Sequence, residues 1–228
     1  MSVSHSPQIV RNGLILHLDA ANSRSYPGTG ITWTDLTVNT NNGTLINTPT
    51  YNSSNNGYFT FDGSSNYINI PTSSNITFSS GSSYSLSAWF YISSLPGTWT
   101  GIITKSRDLT PWYGLWISSG NQYDWATPGN GGIINLLGSV AKTGWHNLCG
   151  VYNTSSNLST LYVDGISNTS TSITSYAAAG SGDLAIGWAK GTGEYLNGSV
   201  SNVCMYNRAL SDTEVLKNYN ALKGRYGL

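Results

Sequence analysis

Tyr84–Ile92, YSLSAWFYI, decides the fold class. Its side chains alternate: Leu86, Ala88 and Phe90 point one way, and Ser85, Ser87, Trp89 and Tyr91 point the other. That period of two belongs to a pleated strand packed on one face. The same grammar extends outward in both directions. Upstream lie Gly13–Asp19, with Leu14, Leu16 and Leu18 on one face, then Tyr58–Asp62 and Tyr67–Ile70, joined through Gly63–Asn66. Downstream lie Gly101–Lys105, Tyr113–Ile117, Ile133–Leu137, Trp145–Tyr152, Ser159–Val163, Leu184–Trp188 and Tyr195–Tyr206. Asp164-Gly165 marks a tight hairpin, because a primed turn needs positive φ and glycine tolerates it. About a dozen short strands separated by Gly, Asn, Ser and Pro predict an all-β, two-sheet antiparallel β-sandwich of the jelly-roll kind.

No helical periodicity precedes residue 210. Then Leu210-Ser211-Asp212-Thr213-Glu214-Val215 carries a capping box, Ser211 with Glu214, and a hydrophobic staple, Leu210 with Val215. Val215, Leu216, Tyr219 and Leu222 fall on one face, and Gly224 is placed to stop the helix. The expected layout is an N-terminal arm over 1–12, a sandwich over 13–210 and a C-terminal helix and tail over 211–228, packed on the sandwich. Ser73–Ser83 is Ser-rich but too short to separate domains. A chain of 228 residues is of a length that one sandwich commonly occupies.

Only 9% of residues are charged, and ten basic side chains balance ten acidic ones. An average soluble protein has about 25%. The surface must therefore be wetted by Ser, Thr and Asn. Zero net charge lacks the electrostatic footprint of a nucleic-acid binder, and a neutral surface suits a protein destined for an assembly. Met1–Arg11 shows no basic region followed by an apolar one, and no apolar run approaches a membrane span, so neither export nor membrane insertion is expected. Cys149 and Cys204 make no disulfide framework, although one bridge stays open if their strands are neighbours. Free thiols fit folding in a reducing cytoplasm.

The ordered segments GLILHLDAAN (13–22), TWTDL (32–36), NNGTLIN (41–47), FTFDGSSNYINI (59–70), YSLSAWFY (84–91), WHNLCGVY (145–152), LYVDG (161–165) and LNGSVSNVCMYNRALS (196–211) resemble the laminin-G-like, concanavalin A-like lectin/glucanase superfamily. Gly13–Thr29 and Asn218–Leu228 look most like the version found in bacteriophage virion proteins. The resemblance implies a capsid decoration, tail or fibre component, made in the host cytoplasm and exposed on the virion, with other virion proteins or its own copies as partners. The alternative is a lectin-like module for host or environmental glycans. Many relatives bind Ca²⁺, and by position Asp19, Asp35 and Asp62 are the candidates. Calcium needs six to eight oxygen ligands, and no local spacing here resembles a loop cage. No metal or other cofactor is therefore expected.

The superfamily includes glucanases, so catalysis is judged by site and not by fold. A glycosidase needs two carboxylates across the scissile bond. The glucanases' Glu-x-Asp-x-x-Glu is missing. The only glutamates are Glu194 and Glu214, and Glu214 belongs to the helix cap. The chain is expected to be non-catalytic, with no acid pair across any groove. His17 and His146 lie within strand patterns as structural residues. Gly187–Gly198 opens no helix and so makes no phosphate cradle. The seven Asn-x-Ser/Thr sequons, from Asn42 to Asn197, arise by chance in so Asn- and Ser-rich a chain.

The remaining signal is aromatic. Trp99, Trp112, Tyr113, Trp116, Tyr123 and Trp125 crowd the middle of the chain. Along Trp112–Ile117, Tyr113, Leu115 and Ile117 share one face; Trp112, Gly114 and Trp116 share the other. If one set lines the core, the other is a strip for sugar rings or a protein partner, unless loops Leu95–Gly101 and Gly120–Gly132 cover it. Trp99, Trp112, Tyr113, Trp116 and Trp125 are the candidate contact residues.

Overall fold

A computed structural model describes residues 8–228. In chain order the strands are β1 (Leu14–Asp19), β2 (Thr32–Trp33), β3 (Gly43–Ile46), β4 (Thr50–Asn52), β5 (Tyr58–Asp62), β6 (Tyr67–Ile70), β7 (Tyr84–Ile92) and β8 (Thr100–Lys105). They continue with β9 (Tyr113–Ile117), β10 (Gln122–Gly129), β11 (Gly132–Val140), β12 (Gly144–Asn153), β13 (Leu158–Val163), β14 (Ile166–Ser172), β15 (Leu184–Ile186) and β16 (Asn197–Tyr206). One helix, α1 (Asp212–Leu222), follows. The first sheet runs β14-β13-β12-β7-β16-β5-β4, with β1 alongside the second half of β16; the second runs β11-β10-β9-β8-β15-β6-β3-β2. Neighbours pair antiparallel, and the two sheets face each other as a sandwich.

The inner faces interdigitate. Leu86, Ala88 and Phe90 of β7 meet Tyr113, Leu115 and Ile117 of β9 and Trp125 of β10 in one buried cluster. Trp125 Nε1 donates to Ser159 Oγ across the sandwich at 2.9 Å. Beside it, Gly150 of β12 has no side chain because a Cβ there would sit within the Trp125 indole. At this point the distance between the sheets is set by one ring lying on bare backbone.

The other face of β7 is also buried. Trp89 is stacked between Tyr219 of α1, with ring centroids 5.3 Å apart, and Tyr226, at 4.3 Å. The helix begins as expected: Ser211 Oγ accepts from Glu214 N–H, and Glu214 reaches back to the Ser211 amide at 3.0 Å. Leu210 and Val215 pack together beneath it. Its buried face differs from the expected one. Leu216 is exposed, and Asn218 takes the inner place, accepting from Val10 N–H and donating to Tyr206 Oη. Gly224 does not stop the chain either. A 3₁₀ turn carries it through Lys223–Tyr226 to Gly227, whose φ of +75° closes it. That extra turn delivers Tyr226 to Trp89. Of the expected N-terminal arm, residues 1–7 lie outside the described residues, while Ile9 and Val10 pack beneath α1.

Two further expectations change. Gly120–Gly132 is not a covering loop: it contains β10, with Tyr123, Trp125 and Thr127 inward and Asp124 and Ala126 outward. Asp124 and Pro128 masked the alternation. Strand β14, which ends in NTSTS, escaped notice because it is an edge strand, largely solvated, with no apolar face to show. Asp164 (φ +51°) and Gly165 (φ +80°) make the expected primed turn between β13 and β14. Cys149 and Cys204 are free. Both pair with Ser87, on opposite sides of β7. Two strand spacings, about 9–10 Å, separate them, beyond disulfide reach.

Gly150→Ala is expected to destabilise the fold by about 1–3 kcal/mol through overpacking against Trp125. Gly193→Ala, with nothing within 4 Å of the added carbon, should shift stability by less than about 0.5 kcal/mol. Urea denaturation of the two variants checks the pair.

Candidate functional site

The C-terminal helix and tail lie over β7 in the middle of the first sheet, while the second sheet carries a hollow on its outer face. Strands β8, β9 and β10 present Gly101, Trp116 and Asp124 there in register, since Trp116 pairs with both Gly101 and Asp124. Small residues, Ala126 and Ala189, leave the face hollow around Trp116.

The segment between β15 and β16 folds over this hollow. Trp188 and Tyr195 pair across it and stack at 5.2 Å, and Trp188 Nε1 donates to Thr192 O at 2.8 Å. Gly101 N–H donates to Glu194 O, and a Cβ on Gly101 would come within 2.7 Å of Ala189 N. The segment therefore presses on β8, and only glycine permits it. Lys190 ties it to Asp108, at 3.3 Å, and to Asp183, at 3.2 Å.

The result is a cavity of about 260 Å³ lined by Trp99, Arg107, Trp112, Trp116, Asp124, Asn135 and Glu194. Trp112 and Trp116 meet edge to face at 5.1 Å. The Arg107 guanidinium lies 4.7 Å from the Trp112 ring centroid and pairs with Glu194 at 3.4 Å. Trp116 Nε1 donates to Glu194 Oε2 at 3.1 Å. Asp124 is 0% exposed, and neither carboxylate oxygen has a hydrogen-bond partner among the described residues. Burial alone pushes its carboxyl up to about 7. An acid on apolar ground with no donor favours its neutral form.

The structure thus brings together three of the five candidate contact residues, Trp99, Trp112 and Trp116. It separates Tyr113 and Trp125, whose rings fill the inter-sheet core, because each points to the opposite face of its strand. Sequence reasoning missed Arg107, Asp124 and Asn135. It also missed that Asp124 and Glu194 line one cavity, which corrects the expectation that no acid pair meets across a groove. The available signal was the alternation Tyr123-Asp124-Trp125, readable only once residues 122–129 are taken as a strand.

The three calcium candidates are committed to other groups of the protein. Asp35 accepts from the amides of His17, Thr37 and Asn41. Asp62 accepts from Ser64, Ser65 and Asn66, which holds its carboxyl well below the usual range. Asp19 accepts from Ala21 N–H and from Arg225 at 2.8 Å. Among the described residues no three His, Cys, Asp or Glu side chains stand close enough to hold a metal. His146 Nδ1 lies 2.8 Å from Asp164 Oδ2, and His17 Nε2 lies 3.3 Å from Asn202 Nδ2; neither lines the cavity.

A family model described as the Concanavalin A-like lectin/glucanases superfamily matches residues 62–216. No curated protein matches the sequence. Among solved structures, the binding domain of Paraclostridial Mosquitocidal Protein 1 is similar with a TM-score of 0.71 at 15% identity, covering 92% of this chain and 52% of that one. Trypanosoma rangeli sialidase with the inhibitor DANA gives 0.64 at 14%, covering 95% and 35%. Domain 4 of AbnA, an extracellular arabinanase from Geobacillus stearothermophilus solved with arabinotriose, gives 0.61 at 17%, covering 90% and 98%. The chain thus spans about half of the first neighbour and a third of the second. At these identities the likeness is one of fold.

Asp124→Asn should raise stability at pH 8 by up to about 4 kcal/mol, three pKa units at 1.36 kcal/mol each. The sign follows from linkage: a carboxyl raised in the folded state binds its proton more tightly there, so wild-type stability falls as pH rises from about 4 to about 7. At pH 5 the advantage of the variant should shrink to less than half. Urea titrations at the two pH values read the difference.

Proposed function

The chain belongs to the concanavalin A-like lectin/glucanase superfamily, and on that premise we propose that it is a non-catalytic glycan-binding module whose site is the tryptophan-walled cavity on the second sheet. The observation that carries this reading is the convergence of Trp99, Trp112 and Trp116 on one hollow with Arg107, Asn135 and Glu194 around it. Indole faces stack on the C–H faces of sugar rings, and a few placed polar groups fix the orientation of the hydroxyls. At about 260 Å³ the cavity lies below the roughly 300–1,000 Å³ of pockets for drug-sized ligands. It suits one sugar ring and not a long segment of chain.

The acids support binding over hydrolysis. Asp124 is sealed beneath the floor, and Glu194 is engaged by Trp116 and Arg107. Neither is free to reach a glycosidic oxygen as acid or nucleophile. The mosquitocidal binding domain and the arabinanase domain with arabinotriose support the reading by analogy of fold.

A second reading, attachment to a phage particle among other virion proteins, rests on the sequence resemblance. Exposed Ile31 and Val38, flanking β2 at 62% and 96% exposure, are apolar side chains available to a protein partner. The two readings are compatible, since an outer particle protein can also grip sugars.

On a glycan array, the wild-type chain should retain a defined set of sugars. Trp112→Ala and Trp116→Ala should weaken that binding by roughly tenfold or more, the loss of about 1.4 kcal/mol of contact. No reducing ends should appear on incubation. Release that disappears in Glu194→Gln would overturn the non-catalytic part of the reading. Mass spectrometry of purified particles, with the chain at a stoichiometric level, tests the second.

A further inference from the structure

We infer that the cavity selects a sugar bearing a free, protonated amine over acidic or N-acylated sugars. The inference rests on the glycan-binding reading and names its ligand class.

Two cations stand near the site, and both are neutralised: Arg107 by Glu194, Lys190 by Asp108 and Asp183. On the strands, the residues paired with Asp124 are Trp116 and Leu137, which carry no charge. Asp124 is therefore the one ionisable group of the cavity without a partner, and both its oxygens lack donors among the described residues. No neighbouring charge accounts for its raised pKa; burial does. Such a carboxyl is the least satisfied group in the site: it has neither a hydrogen-bond donor nor a cation beside it.

The walls favour the same ligand. Trp99 and Trp112, half-buried over the buried Trp116, offer indole surface, and faces of that kind attract cations. The protein's own Arg107 already demonstrates the attraction by lying over Trp112. An ammonium need not touch Asp124, because an opposite charge within about 4–6 Å in a low-dielectric site favours the ionised form. A sugar carboxylate would instead sit beside Glu194 and above the buried Asp124. An N-acetyl group would bring bulk and no charge.

Calorimetric titration of the full chain with four probes tests this: a glucosamine tetramer, its N-acetylated counterpart, a glucose tetramer and a sialylated trisaccharide. The glucosamine tetramer should bind at least tenfold tighter than the other three at pH 7. Its affinity should pass through a maximum near neutrality. It falls on the acid side as Asp124 takes up a proton, and on the alkaline side as the sugar amine loses one. Asp124→Asn, checked by thermal melting to be folded, should bring the ratio of amine to neutral sugar close to one. Equal binding of amine and neutral tetramers, unaffected by Asp124→Asn yet lost in Trp112→Ala, overturns the amine preference and leaves the glycan reading standing. Preference for the sialylated probe also overturns it. Absence of binding by any sugar overturns both.

Discussion

Trp89 held between Tyr219 and Tyr226 is the contact on which the arrangement of this molecule depends. A sandwich has two outer faces, and each must be wetted or covered. Here the C-terminal helix and its 3₁₀ extension cover the face of the first sheet, so that Ser85, Ser87 and Trp89 of β7 are as buried as Leu86, Ala88 and Phe90. Arg225 adds an ion pair to Asp19 of β1, and Tyr226 donates to Ser201 of β16. The tail thereby spans the junction of three strands. The tryptophan-walled cavity lies on the other sheet, away from this tail.

The cavity on that surface is made by a deficit of side-chain volume and a surplus of indole. Gly101 and Ala126 admit the segment before β16, which lays its own Ala189 against them and brings Glu194 to Trp116 and Arg107. In a chain with so few charges, ionic contacts are concentrated where segments must be pinned: Lys190 on Asp108 and Asp183, Arg107 on Glu194, Arg208 on Glu214. Asp124 is the exception. A carboxyl held at 0% exposure without a donor costs stability. Such local costs are characteristic of functional sites.

Much of the frame was legible in the chain. Strands β7 and β9 were read to the residue because their alternation is unbroken and one face is wholly apolar. The capping box at Ser211 and the turn at Asp164-Gly165 were legible because each is a local contract among neighbours in sequence. What escaped was non-local. Strand β10 was hidden by an outward acid and a proline, and β14 by solvation. Asn218 displaced Leu216 from the helix's inner face because Val10 and Tyr206 offered it a donor and an acceptor. Of the candidate aromatics, periodicity separated the two faces of β9 but could not say which faced the core. Trp125 lay in a stretch read as loop.

The sequence by itself determined the all-β sandwich, the terminal helix and the scarcity of charge, because strand alternation, capping and turn chemistry act over a few residues. Only the tertiary structure decided which tryptophans meet, that Asp124 and Glu194 share a cavity, and that Cys149 and Cys204 stand two strands apart. Those relations join residues up to about seventy positions distant. Their proximity is set by strand order and by the segment folded across β8, and no local pattern encodes it.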